Sequence, residues 1–312
     1  VIGDFLIMAN LQPLKPIDIA KCYKKIKPIP RMPNFAAWIE GVDLTKPLSK
    51  STQKELRQAL WDFEVIFFKP QKITPAQHVA LAKVFGPASN GSYFERSPHA
   101  PEIEMIVSDK NNPPFIDNWH TDISWKDHPP LGTAIQITVT PPAGGNTCWI
   151  STSKAYDWLS PGMKKYLEGL KAVHTWEVSG FRDSLGKKGD DALIAAIKAY
   201  KPVTHPVIKV NPDSGKKCIF VNSSFTKKII GIDRHEADGI FRFLLDWFKK
   251  PEFMIHHQWE AGGIAIWDNR STQHYALADY WPHHRVNQRV TFDDPRAKVK
   301  ESSSKKKALS TK

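Results

Sequence analysis

Residues 118–122 read Asn-Trp-His-Thr-Asp, which sets the imidazole of His120 and the carboxylate of Asp122 two residues apart. On an extended backbone the two side chains share one side. With a third ligand from elsewhere, such a pair can hold one face of an octahedral metal. The opposite face stays open, as in non-haem Fe(II) oxygenases. A second stretch, Trp-Asp-Asn-Arg-Ser-Thr-Gln-His-Tyr at 267–275, offers His274, 152 residues after Asp122. The chain has twelve histidines, so spacing alone leaves the third ligand open. His99, His235 and the pairs His256-His257 and His283-His284 read as surface or satisfied core residues. A third stretch, 285–292, alternates. Arg285, Asn287, Arg289 and Thr291 lie on one face, and Val286, Val290 and Phe292 on the other. Inside a barrel it would aim two guanidiniums at the interior, which is costly unless they meet anions. As an edge strand it would show them to water.

The elements that position these residues come from a chain of 312 residues, 41% hydrophobic and 24% charged, the composition of an ordinary globular protein. Its net charge of +12 is concentrated at the ends. Residues 1–31 hold six Lys/Arg against two Asp, and residues 296–312 hold seven against one Glu. The 264 residues between hold 31 basic and 29 acidic side chains, which argues against nucleic-acid binding as the main role. Three cysteines, Cys22, Cys148 and Cys218, form neither a disulfide framework nor a Cys-x-x-Cys site and suit a reducing, cytoplasmic setting. The opening nine residues lack the basic segment and length of a signal peptide, and Val1 in place of Met reads as a trimmed start. No window approaches the roughly 18 apolar residues of a membrane span.

Along the chain, 1–34 reads as a basic, Pro/Lys-rich arm, 35–295 as one folded domain and 296–312 as a basic, disordered tail. Thr52 with Glu55, and Thr74 with Gln77, look like capping boxes opening helices; 65–68 is a buried strand. From 103 onward short β-prone segments dominate: 103–107, 132–139, 146–151, 170–176, 218–221, 263–267 and 285–292. Two helices interrupt them, one from Ser160-Pro161 and one from Asp233. Gly180–Asp191 is a candidate mobile loop over a site. Many short strands with Gly/Pro turns argue for a mainly β sandwich or jelly roll with flanking helices.

Taken in order, these stretches resemble the taurine dioxygenase branch of the Fe(II)/2-oxoglutarate-dependent dioxygenases. The likeness runs from Ile39-Glu40-Gly41-Val42-Asp43-Leu44 through Ile73-Thr74-Pro75, 118–122 and 142–149 to 267–270 and Arg289, about residues 35–294. The resemblance implies a double-stranded β-helix, a cupin-like jelly roll, with iron held by His120, Asp122 and His274. It implies that Thr147 and Arg285 bind the distal carboxylate of the cosubstrate 2-oxoglutarate, with O2 as second cosubstrate. It also implies that Arg289 holds the acidic group of a small anionic substrate, and that the chain assembles as a dimer or tetramer. Where the taurine enzyme has a His, a Tyr and an Asn, an ungapped count back from His120 finds Gly91, Phe94 and Ile116. Three lost polar groups disfavour taurine itself and favour an anion with an apolar body: a sulfonate, a sulfate ester, or an aryloxy or alkyl carboxylic acid. Phe225 is expected to add a further apolar wall. Two competing readings share the fold: a nucleic-acid-modifying oxygenase and a non-catalytic anion-binding protein.

Overall fold

In the computed structural model, residues 16–89, 94–180 and 190–297 are described. Gly91, the first fifteen residues of the arm, most of the Gly180–Asp191 loop and the tail from 298 lie outside them. Two sheets face each other across the interior, as in a jelly roll. The major sheet has eight strands in the order Lys27–Met32, Phe35–Glu40, Val65–Phe68, Ile264–Asp268, Gly132–Val139, Arg285–Phe292, Ala100–Ser108 and Glu95–Ser97. The minor sheet has three: Met254–His257, Thr147–Ser151 and Thr272–Ala276.

Each sheet buries both faces, which explains why its central strands are apolar runs and not clean alternations. In Val65–Phe68, Val65 and Phe67 pack inward with Trp149, Ile255 and Trp267. Ile66 and Phe68 pack outward with Leu56, Leu60 and Val79 of the helices Lys50–Phe63 and Pro75–Lys83. The minor sheet is backed in the same way, by Thr152–Asp157, Pro161–Glu168 and Arg234–Trp247 around Ile150. Gly132 marks a close approach within the major sheet: a Cβ there would sit 2.3 Å from the Trp267 carbonyl oxygen. Among the described residues no helix is long and apolar enough to cross a membrane.

Several expected boundaries move. Lys27–Met32, read above as part of a basic, Pro/Lys-rich arm, is an edge strand whose register pairs Lys27 with Glu40 and Met32 with Phe35. Its prolines, Pro28 and Pro30, suggested irregularity, yet an edge strand tolerates residues that cannot donate to a ladder. The first long helix starts from Ser49, whose side chain accepts from the Thr52 amide, three residues before the expected cap. The capping boxes at Thr74/Gln77 and Asp233/Glu236 are present. The helix Asp190–Ala199 follows the expected loop and was not foreseen.

Candidate metal and cosubstrate site

His120 lies outside any named strand but forms an isolated antiparallel bridge with His274 of the minor sheet. The two residues exchange both backbone bonds, His120 N–H to the His274 carbonyl at 3.1 Å and the reverse at 2.9 Å. Directly opposed residues of an antiparallel pair present their side chains on the same face, and the two rings accordingly stand 4.1 Å apart. The Nδ1–H of His120 donates to the Asn118 carbonyl at 2.7 Å, which turns Nε2 toward the interior.

Asp122 is placed by a different device. Asn269 grips its backbone on both sides, accepting from the Asp122 amide at 2.7 Å and donating to the Asp122 carbonyl at 2.8 Å. The Thr133 hydroxyl donates to Oδ2 at 2.9 Å. Oδ1 is left 3.7 Å from His120 Nε2 and 4.0 Å from His274 Nε2. These three ligand atoms lie within 4.8 Å of one another, and all three residues are buried. Two imidazole nitrogens and one carboxylate oxygen at such spacing fit a facial site for a divalent first-row metal.

The protonation states suit that use. Burial, reinforced by His120 next to it, pushes His274 down to about 3. Burial likewise lowers His120. Burial alone would raise Asp122, but His274, Arg289, His120 and the Thr133 hydroxyl hold its carboxyl below the usual range. At neutral pH the triad therefore offers neutral imidazoles and an ionised carboxylate.

The triad opens into a cavity of about 480 Å³ lined from both sheets. Thr147, Arg285, Arg289, Phe94 and Ile116 all line it, together with His120 and His274. Arg285 is buried at 5% exposure, with its guanidinium 5.4 Å from the Tyr280 ring centroid. Its Nε–H has no hydrogen-bond partner, and burial lowers its pKa. Tyr280 and Asp279 support the charge, yet the Nε–H of this buried cation remains unmet. Thr147 is oriented by Trp259, whose Nε1–H donates to the threonine hydroxyl oxygen at 2.9 Å. That bond occupies an acceptor site and leaves the hydroxyl proton to donate elsewhere.

Phe225 and Arg289 are placed as follows. Phe225 does not line the cavity; it sits edge-on to the His120 ring at 6.3 Å. The turn that places it is fixed by the Phe225 amide donating to Asn222 Oδ1 at 2.8 Å, so it supports a ligand rather than forming a wall. Arg289 does not wait for an anion as Arg285 does. Its Nε lies 2.6 Å from Glu104 Oε2, its Nη2 bonds the same oxygen, and its Nη1 is 3.5 Å from Asp122 Oδ1. Glu104 was not singled out from the sequence. The only signal was a lone acidic residue in the apolar run 103–107.

Comparison with known proteins agrees with this geometry. A family model described as "Taurine catabolism dioxygenase TauD, TfdA family" matches residues 25–291. The chain is 31% identical over 270 residues to the alkylsulfatase of Acinetobacter baylyi, covering 83% of this chain and 82% of that one. It is 30% identical over 269 residues to an alpha-ketoglutarate-dependent sulfate ester dioxygenase of Pseudomonas putida, covering 83% and 86%. Among solved structures, a putative alpha-ketoglutarate-dependent taurine dioxygenase from Burkholderia xenovorans superposes with a TM-score of 0.74. It is 30% identical, with 86% of this chain and 93% of that one covered.

Proposed function

We propose a substrate class and a division of roles from one premise: the chain belongs to the TauD, TfdA family and is an Fe(II)- and 2-oxoglutarate-dependent dioxygenase. His120, Asp122 and His274 hold the iron. Arg285 and Thr147 receive the distal carboxylate of 2-oxoglutarate, and the primary substrate lies between Arg289, Phe94 and Ile116. The observation that carries this reading is one cavity joining the His-Asp-His triad to a buried guanidinium with an unpartnered Nε–H.

When bound, iron with 2-oxoglutarate and O2 supplies C–H hydroxylation coupled to decarboxylation of the keto acid to succinate and CO2. The residues of this chain do the rest. Arg285 offers a planar fork suited to a carboxylate, and the Thr147 hydroxyl donates beside it. Phe94 and Ile116 keep water from the bond to be oxidised, and Phe94 also lies under Arg289, 5.0 Å from guanidinium carbon to ring centroid. Phe115 stacks on Phe94 at 6.1 Å and is 46% exposed, extending the apolar surface toward solvent.

The substrate is therefore an organic sulfonate, sulfate ester or carboxylic acid with an apolar body. Taurine places an ammonium where this wall has no polar partner for it, at about 1–3 kcal/mol per lost hydrogen bond. Hexanesulfonate is expected to be turned over at least tenfold more efficiently than taurine, measured as kcat/KM from substrate-dependent succinate formation. Equal or better turnover of taurine would remove the apolar-body reading. The cofactor assignment is tested by anaerobic titration with Fe(II) and 2-oxoglutarate, following the visible charge-transfer band of the chelate.

A further inference from the structure

The two arginines of the strand Arg285–Phe292 are not equivalent, and the difference lies in one residue. Glu104 stands directly opposite Arg289 in the antiparallel register of Ala100–Ser108 against Arg285–Phe292. The two side chains therefore share a face, and both are buried, Glu104 at 3% and Arg289 at 8% exposure. One carboxylate oxygen accepts from both Nε and Nη2 of Arg289. The other lies 3.9 Å from Arg96 Nη2, a half-buried side chain. Arg285 has no such partner at its Nε–H.

Arg289 is thus already met by carboxylate: Glu104 accepts from its Nε and Nη2, and Asp122 Oδ1 lies 3.5 Å from its Nη1. Arg285 has Tyr280 and Asp279 nearby, and no carboxylate bonded to it in this way. The histidines are neutral. A divalent metal and a dicarboxylate cosubstrate add charges that cancel each other. Without Glu104, Arg289 would carry one more unit of uncompensated positive charge, the complement of a monoanionic substrate. With Glu104 bonded to it, that complement is weakened. An anion seated on Arg289 loses its hydration and meets a guanidinium already neutralised, so the Coulomb return is small. The Nη hydrogens not used by Glu104 can still donate to a neutral oxygen.

We infer that Glu104 is a specificity-determining residue which discharges Arg289, so that the pocket reads the apolar body and oxygen atoms of its substrate in place of net charge. Uncharged congeners of the acids, such as carboxylic esters and sulfones, are then substrates as well. The inference rests on the proposed oxidation site and widens its substrate class from acids to their uncharged congeners. The reaction is the same one: one atom of O2 enters a C–H bond, the other leaves in succinate, and the keto acid loses CO2.

The test uses the iron- and 2-oxoglutarate-loaded protein and its Glu104→Gln variant. Glutamine keeps an oxygen that accepts from Arg289 and removes only the charge. The probes are matched pairs: phenoxyacetate with its methyl ester, and hexanesulfonate with hexyl methyl sulfone. Affinity is read from perturbation of the chelate band, and turnover from product formation. In the native enzyme, acid and neutral partner are expected to agree within about tenfold in Kd and kcat/KM. In Glu104→Gln the ratio should move toward the acid by about 10- to 100-fold, as removal of one nearby charge in a partly screened site requires. A native preference for the acid beyond about 100-fold, or an unchanged ratio in the variant, overturns the inference. A normal chelate band that no member of either pair perturbs also overturns it. Failure to form any chelate band would instead count against the metal and cosubstrate assignment.

Discussion

Asp122→Ala is expected to abolish the chelate band and to lower 2-oxoglutarate decarboxylation by about 10³-fold or more, equivalent to about 4 kcal/mol of lost barrier reduction. The argument is geometric. The carboxylate is aimed by Thr133 on one oxygen, which leaves the other facing both imidazoles. The alanine variant leaves two ligands, too few to hold a facial site. Asp122→Glu is a sharper probe. Asn269 grips the residue 122 backbone from both sides, so the chain cannot retreat to absorb an added methylene. The longer carboxylate would carry its oxygens past the imidazoles by about one C–C bond, ~1.5 Å. The glutamate variant should therefore bind less iron than the native protein while melting within a few degrees of it. Iron content by elemental analysis and melting followed by circular dichroism check both statements. A glutamate variant with full iron content and an unchanged band would show that the carboxylate is not held as described.

The metal triad was legible because it is local on one side and aligned on the other. A His-x-Asp pair is visible at two residues' spacing, and the distant histidine falls in an ordered set of motifs that run through most of the chain. The backbone bridge that brings His120 against His274 was not legible, since an isolated pair of residues has no periodicity to detect. The same limit hid the short strands of the minor sheet, Met254–His257 and Thr272–Ala276, and the helix Thr152–Asp157 that follows Thr147–Ser151 directly. The placement of Phe225 was not legible for another reason. An aromatic residue near a site in sequence can point to either side of a turn, and here the Asn222 cap turns it behind His120. Glu104 and Arg289 are the instructive miss. Alternation put Arg285 and Arg289 on one face and left its direction open, and the partner of Arg289 is 185 residues away, across a strand pairing that only topology supplies.

Arg285→Ala should leave the metal site intact and remove the keto acid from it. Truncating one partner of a buried, hydrogen-bonded charge pair costs about 2–5 kcal/mol, so the Kd for 2-oxoglutarate is expected to rise by about two orders of magnitude or more. Iron content should stay at the native level, which separates this variant from Asp122→Ala. The chelate band should return at high 2-oxoglutarate. Arg285→Lys keeps the charge without the fork and should fall between the two. Stability supplies an independent check of opposite sign. Without cosubstrate, Arg285 is a buried guanidinium whose Nε–H has no acceptor and whose pKa burial lowers. Tyr280 and Asp279 offset that charge only in part, since burial still lowers the pKa, and a buried charge so incompletely met destabilises the fold. The ligand-free alanine variant is therefore expected to melt no lower than the native protein, although it has lost a large side chain from a close-packed site. Gly145 shows how close the packing is, since a Cβ there would sit 3.3 Å from the Arg285 Cδ. Saturating 2-oxoglutarate should raise the melting temperature of the native protein by linkage and leave that of the variant unmoved at the same concentration. A variant that binds 2-oxoglutarate with native affinity would remove Arg285 from the cosubstrate site. One that loses binding together with several degrees of ligand-free stability would make Arg285 a structural residue, and the anion-receptor role would fall with it.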